Sequence, residues 1–489
     1  MSVRLAKLVK RDLGVDPEIT GVTADSRKVK PGFLFAALPG SKADGAAFAA
    51  KAAEAGAAAI IAEQDLNLAV PTVVCRDPRR GYALAAANFW GRQPQTCVAV
   101  TGTNGKTSVA NFCRQMFAGA GHASASMGTL GVTVSRPGEA DLQVTPPGLT
   151  TPDAGDVAEL LMRISQLGVT HFAMEASSHG IDQRRLDGVR LAAAGFLNLS
   201  QDHLDYHLTM DAYMKAKLRL FEQLMPRGAT AVLNADNEAF PFFAAASVVS
   251  GQRVMSVGET GQALKLMERT LLPDGQRLKI RAEGRVWDVR LPLAGGFQAS
   301  NALVAAGLCR AAGLSFEETF AGLERLTGAP GRLQRVGGGL HGGEAYVDYA
   351  HTPDGLETVL KAMRPHVRGK LIVVFGAGGD RDKGKRPLMG EIAARLADVA
   401  IVTDDNPRSE VPATIRAEVL AGAQGGRSGG AKEIGDRREA IQAAVAMLKD
   451  GDILVVAGKG HEQGQIVGTI VHPFDDVQET AKALELVHG

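Results

Sequence analysis

Short apolar runs alternate with helical stretches from one end of the chain to the other. The runs Cys97–Val100, Phe172–Met174, Ala345–Val347, Leu371–Phe375, Val399–Val402 and Ile453–Val456 have the length and character of buried strands. Between them the period changes to that of a helix. Val109, Phe112, Cys113, Met116 and Phe117 recur at i, i+3, i+4, i+7 and i+8, and Leu356/Val359/Leu360/Met363 and Ala440/Ile441/Ala444/Val445/Leu448 do the same. This alternation predicts an α/β protein with largely parallel sheets. Gly91-Arg92-Gln93-Pro94 and Thr327-Gly328-Ala329-Pro330-Gly331 interrupt it, which divides the chain into blocks at residues 1–92, 93–330 and 331–489. The last block reads as a doubly wound domain. Gly337-Gly338-Gly339 and Gly422–Gly430 are expected to be turns or loops, and no internal repeat is visible.

The strands repeatedly finish in residues with useful chemistry. Val98–Val100 runs into Thr101-Gly102-Thr103-Asn104-Gly105-Lys106-Thr107, Phe172–Met174 ends at Glu175, and Phe196–Asn198 leads to Asp202-His203. In the third block Tyr346-Val347 is followed by Asp348-Tyr349-Ala350-His351, Val399–Val402 by Asp404–Arg408, and Val455-Val456 by Gly458–Glu462. Ligands of open α/β sheets bind outside the carboxyl ends of the strands, so these two rows of strand ends are expected to face one reaction.

Composition narrows the classes. At 489 residues, 45% apolar and 22% charged, the chain has core enough for several domains. Its 54 Lys+Arg against 53 Asp+Glu leave +1, so no whole-protein field would draw it to nucleic acid or to an anionic membrane. Cys75, Cys97, Cys113 and Cys309 are far apart and form no Cys-x-x-Cys, which argues against a disulfide framework or a zinc site and fits a reducing cytoplasm. Met1–Gly14 lacks the apolar core of a secretory signal, and the uncharged window Gln115–Ser135 is too polar to span a bilayer. Without a coiled-coil heptad, monomer is the default expectation.

Gly102–Thr107 lies between a strand and a helix, where a phosphate loop belongs. Backbone N–H groups at the helix start would cradle phosphate, Lys106 would offset its charge, and Thr107 would offer a hydroxyl to Mg2+. Val100 stands where the full Walker pattern has its first Gly, so the match is a shortened variant, and an ordinary Gly-rich turn is the bland alternative. Glu175 and His203 are candidates for metal binding or water positioning, although imidazole suits Mg2+ poorly and each residue alone is more often a structural one. Lys217 sits among Lys215 and Arg219 in a helical stretch, a pattern that usually marks a solvated face. Gly379–Arg386 is either a charged turn or an anion site at a strand end. Asp405-Asn406-Pro407-Arg408 is a natural turn sequence and equally a rigid mount for a guanidinium that grips a carboxylate.

Taken together, Val98–Thr107, Glu175-Ala176-Ser177-Ser178-His179-Gly180, Asn198–Asp205, Asp348–Pro353, Gly378–Arg386, Asp405–Arg408 and Gly458–Glu462 resemble the Mur ligases of peptidoglycan synthesis, across all three blocks. The resemblance implies the three-domain Mur ligase architecture, with a P-loop-type central ATPase domain and a doubly wound, Rossmann-like C-terminal domain. Block one would hold the UDP end of the substrate, block two ATP and metal, and block three would close over them with the incoming amino acid. The implied reaction forms an amide. ATP phosphorylates the D-glutamyl γ-carboxylate of UDP-N-acetylmuramoyl-L-alanyl-D-glutamate, and the amine of meso-2,6-diaminopimelate attacks the acyl phosphate.

The resemblance also implies residue roles. Gly102, Thr103, Asn104, Gly105, Lys106, Thr107 and Ser108 would bind the ATP phosphates, and Asn301, Arg332 and Asp348 the nucleoside, with His351 in support. Thr107, Glu175, His203 and Lys217 would be the Mg2+ groups, Lys217 as a carbamate formed from CO2, which reverses the bland reading of its helix. Lys106, Glu175, His203 and Lys217 form the implied catalytic set. Ala24, Ser26, Ser41, Lys42 and Ala43 match positions that meet UDP. Thr150, Thr151, Ser177, Gln183 and Arg185 match those that hold the muramoyl-dipeptide. Arg381, Asp405, Asn406, Pro407, Arg408, Gly458 and Glu462 would bind diaminopimelate, with Arg408 a fork for its distal carboxylate and Glu462 an acceptor for its ammonium. L-Lysine has no distal carboxylate and would leave Arg408 desolvated and unpaired, a penalty of about 1–3 kcal/mol. Folylpolyglutamate synthase shares the loop type but gives no reason for a UDP-binding first block. A lysine-adding sibling is opposed by Arg408, and a non-catalytic nucleotide-binding regulator has no need of the metal set. A Rossmann oxidoreductase is disfavoured, because no Gly-x-Gly-x-x-Gly opens a helix with an acidic residue about 20 positions on.

Overall fold

Four parallel strands, Gly21–Thr23, Phe33–Ala36, Ala59–Ala62 and Thr72–Val74, pair in sequence order in the first block. Alternate residues face opposite layers. Leu34, Ala36, Ala59 and Ile61 pack into one apolar cluster, and Phe35, Ile60 and Ala62 into another. The helix Pro78–Trp90 covers the first cluster. Pro78 opens it, Asp77 caps it at the Arg80 N–H, and Gly91 closes it in the left-handed region, φ 70°. The breaker residues at 91–94 thus act as a helix stop. The computed structural model describes residues 2–40, 44–145, 148, 150–272 and 274–488, with all their side chains except those of Asp205, Val487 and His488.

Those residues gather into two compact units, Met1–Leu264 with Leu303–Thr319, and Lys265–Ala302 with Phe320–Gly489. The first unit holds a second parallel sheet, ordered Ser124–Gly128, His171–Glu175, Thr96–Thr101, Ala193–Phe196, Thr230–Asn234 and Arg253–Gly258. Thr96–Thr101 therefore lies between the strands that end in Glu175 and Phe196, and three carboxyl ends stand side by side. Val109, Phe112, Cys113, Met116 and Phe117 are all buried on the helix Lys106–Gly119, as their spacing predicts. The antiparallel strands Gly131–Ser135 and Leu142–Thr145, added at one edge, are the minority within a sheet that is largely parallel up to Arg253–Gly258, as expected.

The second unit carries an antiparallel meander, Leu264–Leu272, Gly275–Ala282 and Arg285–Leu291. Its main sheet runs Gln334–Gly338, Glu344–Asp348, Ile453–Ala457, Leu371–Phe375, Val399–Val402 and Ala431–Glu433, parallel except for the first strand. Helices Pro353–Met363, Lys385–Leu396 and Pro412–Gly422 pack on one face, and Arg437–Val445 and Asp476–His488 on the other. This is the doubly wound arrangement expected for the third block. Gly337 and Gly338, expected in a turn, instead belong to the edge strand Gln334–Gly338. A register irregularity between Arg335 and Gly337 and the close approach of Leu484 and the Gly343 carbonyl explain why a strand here uses glycine. Among the described residues no helix is long and apolar enough to cross a membrane.

Candidate active site

The loop after Thr101 is held by its neighbour strand. Asn198 O accepts from the Thr103 N–H (2.9 Å), its Oδ1 from the Asn104 N–H (2.9 Å), and its Nδ2 donates to Asn104 O (3.1 Å). A Cβ on Gly102 would stand 2.9 Å from Leu197 Cβ, and Gly105 enters the helix at φ 88°. Both positions therefore require glycine. Lys106 folds back on the loop and donates to Gly102 O (2.9 Å) and Thr103 O (2.7 Å). Thr107 and Ser108 follow in the first helical turn, Thr107 half-buried and Ser108 buried.

Lys217 shares one of those acceptors. It is buried, 1% exposed, and donates to Gly102 O at 2.8 Å, with its Nζ 4.3 Å from the centre of the Tyr213 ring. Burial, reinforced by the positive charge of Lys106, holds its amine well below the usual lysine range, with Asp202 acting weakly the other way. The basic helix Met210–Arg219 is therefore no solvated face at this position. Lys217 and Arg219 are buried, and only Lys215 is exposed. The Tyr213 hydroxyl donates to Thr103 Oγ1 (3.3 Å), which ties this helix to the loop. His203 has left-handed backbone, φ 52°. Its Nε2 lies 3.5 Å from Asp202 Oδ2 and its ring 4.9 Å from His179 and 6.0 Å from Tyr213.

Glu175 is buried at its strand end, and its Oε1 accepts from the Thr129 N–H at 2.8 Å. Its backbone starts a second network. Thr151 Oγ1 donates to Glu175 O (3.2 Å) and pairs with Ser177 Oγ (2.9 Å), which caps the following helical turn at the Gly180 N–H (3.1 Å). Arg185 donates to Thr151 O (2.6 Å) and Gln183 Oε1 (2.7 Å), and Thr150 pairs with Thr129 (3.1 Å). The structure thus brings Thr150, Thr151, Ser177, Gln183 and Arg185 together around the Glu175 strand end. Ala24 and Ser26 line a cleft of about 1010 Å³ with Phe33, Phe35, Phe48 and Trp90. A smaller cavity containing Gln183 and Arg185 shares Leu38, Tyr82 and Asp153 with that cleft. The cleft and the smaller cavity therefore lie side by side, with these three residues as a shared wall. Ser41, Lys42 and Ala43 lie outside the described residues.

In the second unit Asp348 is buried at its strand end and accepts from the Leu333 N–H (2.7 Å) and the Ala350 N–H (2.8 Å). Burial raises its pKa, while Arg332 and these N–H groups oppose the rise. The Arg332 guanidinium lies 4.7 Å over the Tyr349 ring, and Gln298 donates to Arg332 O (3.4 Å) and accepts from Asn301 (3.1 Å). Asn301, Arg332 and Asp348 are thus one neighbourhood, with His351 reaching it through its ring contact to Tyr349 at 4.5 Å.

The amino-acid set forms another. Asn406 donates from Nδ2 to Glu462 Oε2 (2.9 Å), and Arg408 donates to Gly379 O (2.8 Å). Gly379 donates from its N–H to Asn406 O (2.9 Å), with Pro407 O where a Gly379 side chain would go. A Cβ on Gly378 would meet Arg408 Nη1 at 2.9 Å and Arg381 Cγ at 3.9 Å, so both arginines stand over that glycine. Gly458, φ 123°, stands where an added Cβ would lie 3.8 Å from the Asp405 carboxylate. Sequence reasoning passed over three side chains here. Lys459, fully buried, lies within a quoted motif. Arg437 and Asp476 form a buried ion pair behind Gly458, with no motif to mark them. Tyr213 was missed in the first unit, although its i, i+4 spacing to Lys217 was visible.

A glycine-rich loop at a strand end with a buried lysine upon it, and a cluster of charged residues at the strand ends of a doubly wound domain, are the arrangement expected of an ATP-dependent amide-forming ligase. Three family models match the chain: "Mur ligase family, catalytic domain" over residues 18–87, "Mur ligase middle domain" over 100–309 and "Mur ligase, glutamate ligase domain" over 331–460. The chain belongs to the Mur ligase family, and its fold is that family's three-domain α/β architecture. It is 67% identical over 487 residues, 99% of each chain, to the UDP-N-acetylmuramoyl-L-alanyl-D-glutamate--2,6-diaminopimelate ligase of Caulobacter vibrioides. To the ligase of that name from Brucella melitensis it is 55% identical over 472 residues, 96% of this chain and 94% of the relative. A solved structure of a ligase of that name matches with a TM-score of 0.77 at 33% identity, covering 100% of both chains.

Proposed function

We propose that this chain joins meso-2,6-diaminopimelate to the D-glutamyl γ-carboxylate of UDP-N-acetylmuramoyl-L-alanyl-D-glutamate at the expense of ATP, in the cytoplasmic synthesis of peptidoglycan precursors. The observation that carries the choice of amino acid is the Asp405–Arg408 turn. It mounts a guanidinium at Arg408 and, through Asn406 Nδ2, holds the Glu462 carboxylate at 2.9 Å. A guanidinium for the distal carboxylate and a carboxylate for the ammonium match the zwitterionic end of diaminopimelate and not the bare ammonium of lysine. High identity along the whole length to relatives bearing the ligase name supports the same reading over the folate and regulator alternatives.

Residues 1–92 bind the UDP end, 93–330 the ATP phosphates and metal, and 331–489 the amino acid, a division supported by the three family matches. The N–H groups of Gly102–Ser108 hold the phosphates and Lys106 neutralises them. Asn301, Arg332 and Asp348 hold the nucleoside. Ala24, Ser26 and the segment Ser41–Ala43 hold UDP, and Thr150, Thr151, Ser177, Gln183 and Arg185 present the glutamyl carboxylate. That carboxylate takes the γ-phosphoryl group, ADP leaves, the diaminopimelate amine attacks the acyl carbon, and the tetrahedral adduct expels phosphate.

The donors suit Mg2+, since Thr107 and Glu175 offer oxygen. Lys217 fits only after its uncharged amine adds to CO2, releasing a proton and gaining a carboxylate. The burial that lowers its pKa supplies the uncharged amine. His203 completes the proposed set, and when bound the ion screens charge between phosphate oxygens. The protein is proposed to work as a monomer. The test is phosphate release from ATP and Mg2+ with the UDP-dipeptide, comparing meso-diaminopimelate, L-lysine and no acceptor. Release dependent on diaminopimelate is expected. Release with lysine instead would overturn the acceptor assignment, and no release with either would overturn the activity.

A further inference from the structure

Lys459 has no exposed surface, yet it carries an ammonium group at the end of the strand Ile453–Ala457. Its Nζ donates to Asn406 Oδ1 (2.8 Å) and to Gly464 O (2.9 Å), and lies 3.4 Å from Asp405 Oδ1 and 3.7 Å from Glu462 Oε2. Burying a lysine this completely is costly unless its hydrogen bonds and charge are answered, and here four oxygens answer them.

The consequence falls on Asn406. Its Oδ1 accepts from both Lys459 and the Ile466 N–H (2.9 Å), so the amide cannot turn over without losing both bonds. Its Nδ2 is thereby committed to Glu462. The bond to Gly464 O fixes the start of the hairpin strand Gly464–Val467. That strand in turn holds the backbone of Arg408, through Arg408 N–H to Ile466 O (3.0 Å) and Gly468 N–H to Arg408 O (2.7 Å). The two carboxylates of Asp405 and Glu462 converge on one ammonium, which offsets the repulsion of holding them together.

We propose that Lys459 is the positioning residue of the amino-acid pocket, setting Glu462 through Asn406 and Arg408 through the hairpin so that both ends of a zwitterionic acceptor are met at once. The inference rests on the pocket assignment made above. Lys459 touches the binding groups and need not touch the amino acid, so its loss acts on acceptor affinity and not on ATP or the UDP-dipeptide.

The experiment is steady-state phosphate release by the full-length protein and Lys459→Met, varying each substrate in turn. The KM for diaminopimelate is expected to rise at least about tenfold, with those for ATP and UDP-dipeptide within about twofold. In an Asn406→Leu background the same substitution is expected to add little, because residues acting through one another are non-additive. Lys459→Gln, which keeps a donor for Asn406 Oδ1 without the charge, is expected to recover part of the loss and stands in if the methionine variant does not fold. A fall in kcat with all three KM values unchanged would reduce Lys459 to a structural lysine and overturn the inference, as would full additivity with Asn406→Leu. Wild-type protein that ignores diaminopimelate would overturn the pocket assignment itself. A wild-type response with unchanged KM in both variants overturns only the role of Lys459.

Discussion

The Glu175 carboxylate fills the space that a side chain on Gly128 would need. A Cβ built on Gly128 would overlap Glu175 Oε1 and stand 2.5 Å from its Cγ, while Oε1 is held by the Thr129 N–H. The glycine at the end of Ser124–Gly128 is therefore there for the glutamate on the adjacent strand. Gly128→Ala is expected to push the carboxylate from its seat and lower kcat by about tenfold or more, with a modest stability loss of about 1–3 kcal/mol. Phosphate release alongside a thermal melt checks this. Unaltered kcat would remove Glu175 from the reacting site.

Lys217 gives a sharper test. Both it and Lys106 donate to Gly102 O, so Lys217→Ala leaves that oxygen the Lys106 donor and leaves the Asn198 bonds that hold the loop in place, and the variant should still fold. If Lys217 has the catalytic role proposed for it, turnover vanishes and no excess of ATP, UDP-dipeptide or diaminopimelate restores it. Lys217→Arg is expected to be equally inactive, since a guanidinium stays protonated and cannot add CO2. Normal turnover in either variant would remove the carbamate.

Arg408 stands in the left-handed region, φ 52°, which costs a non-glycine residue about 1 kcal/mol. Arg408→Gly relieves that strain while deleting the guanidinium, whereas Arg408→Ala deletes the guanidinium and keeps the strain. If the guanidinium binds the distal carboxylate, both variants raise the KM for diaminopimelate by about tenfold or more, and the glycine variant is the more stable of the two. Separate measurement of KM and melting temperature distinguishes the effects. An unchanged KM in both would end the argument against lysine.

How far the sequence could be read depended on what signal each element leaves. Continuous apolar runs such as Leu371–Phe375, buried on both faces, name a parallel strand directly, and Val399–Val402 was placed to the residue. The meander strand Gly275–Ala282 buries Leu278, Ile280 and Ala282 and exposes the residues between them. That period-two pattern is legible, but short alternations amid charged residues are easily taken for loop. At the site, motifs marked Glu175, Asn406 and Arg408, while Lys217 looked like part of a charged surface until resemblance supplied a reason to bury it. Arg437 and Asp476 lie 39 residues apart with no motif, and only the fold pairs them. Local patterns announce glycine loops and strand ends, whereas long-range charge pairs leave nothing to read.

Acid should weaken the first unit through His171. Burial pushes its imidazole down to about 4 from an unfolded value of 6.5, with His122 adding to the effect and Phe117 packed 4.7 Å from its ring. A base with a depressed folded pKa favours the folded state fully above 6.5, and that contribution is lost as pH falls from 6.5 through 4. Its size is of the order of 2 kcal/mol. His171→Phe removes the titration while keeping an apolar ring, so its stability relative to the wild type should rise as pH drops across that window. Urea unfolding at pH 7, 5.5 and 4.5 measures the trend, and parallel curves would clear His171 of the role.

The Arg437–Asp476 pair makes the opposite use of burial. Both side chains are wholly buried, and Nε and Nη2 meet the two carboxylate oxygens at 2.7 and 2.6 Å while Nη2 also reaches Ala457 O at 2.9 Å. Ala457 precedes Gly458, so the pair supports the strand end beneath the proposed amino-acid pocket. Asp476→Ala strands a guanidinium without its counter-charge and is expected to cost about 3–5 kcal/mol, whereas Arg437→Met with Asp476→Leu removes both charges and should cost far less. A chain of two compact units need not unfold in one step. Amide exchange along Ile453–Ala457 therefore measures the effect better than a melting point. Faster exchange in Asp476→Ala than in the double variant is the expected order. The reverse order would mean that the strand end depends on the charges themselves and not on their mutual satisfaction.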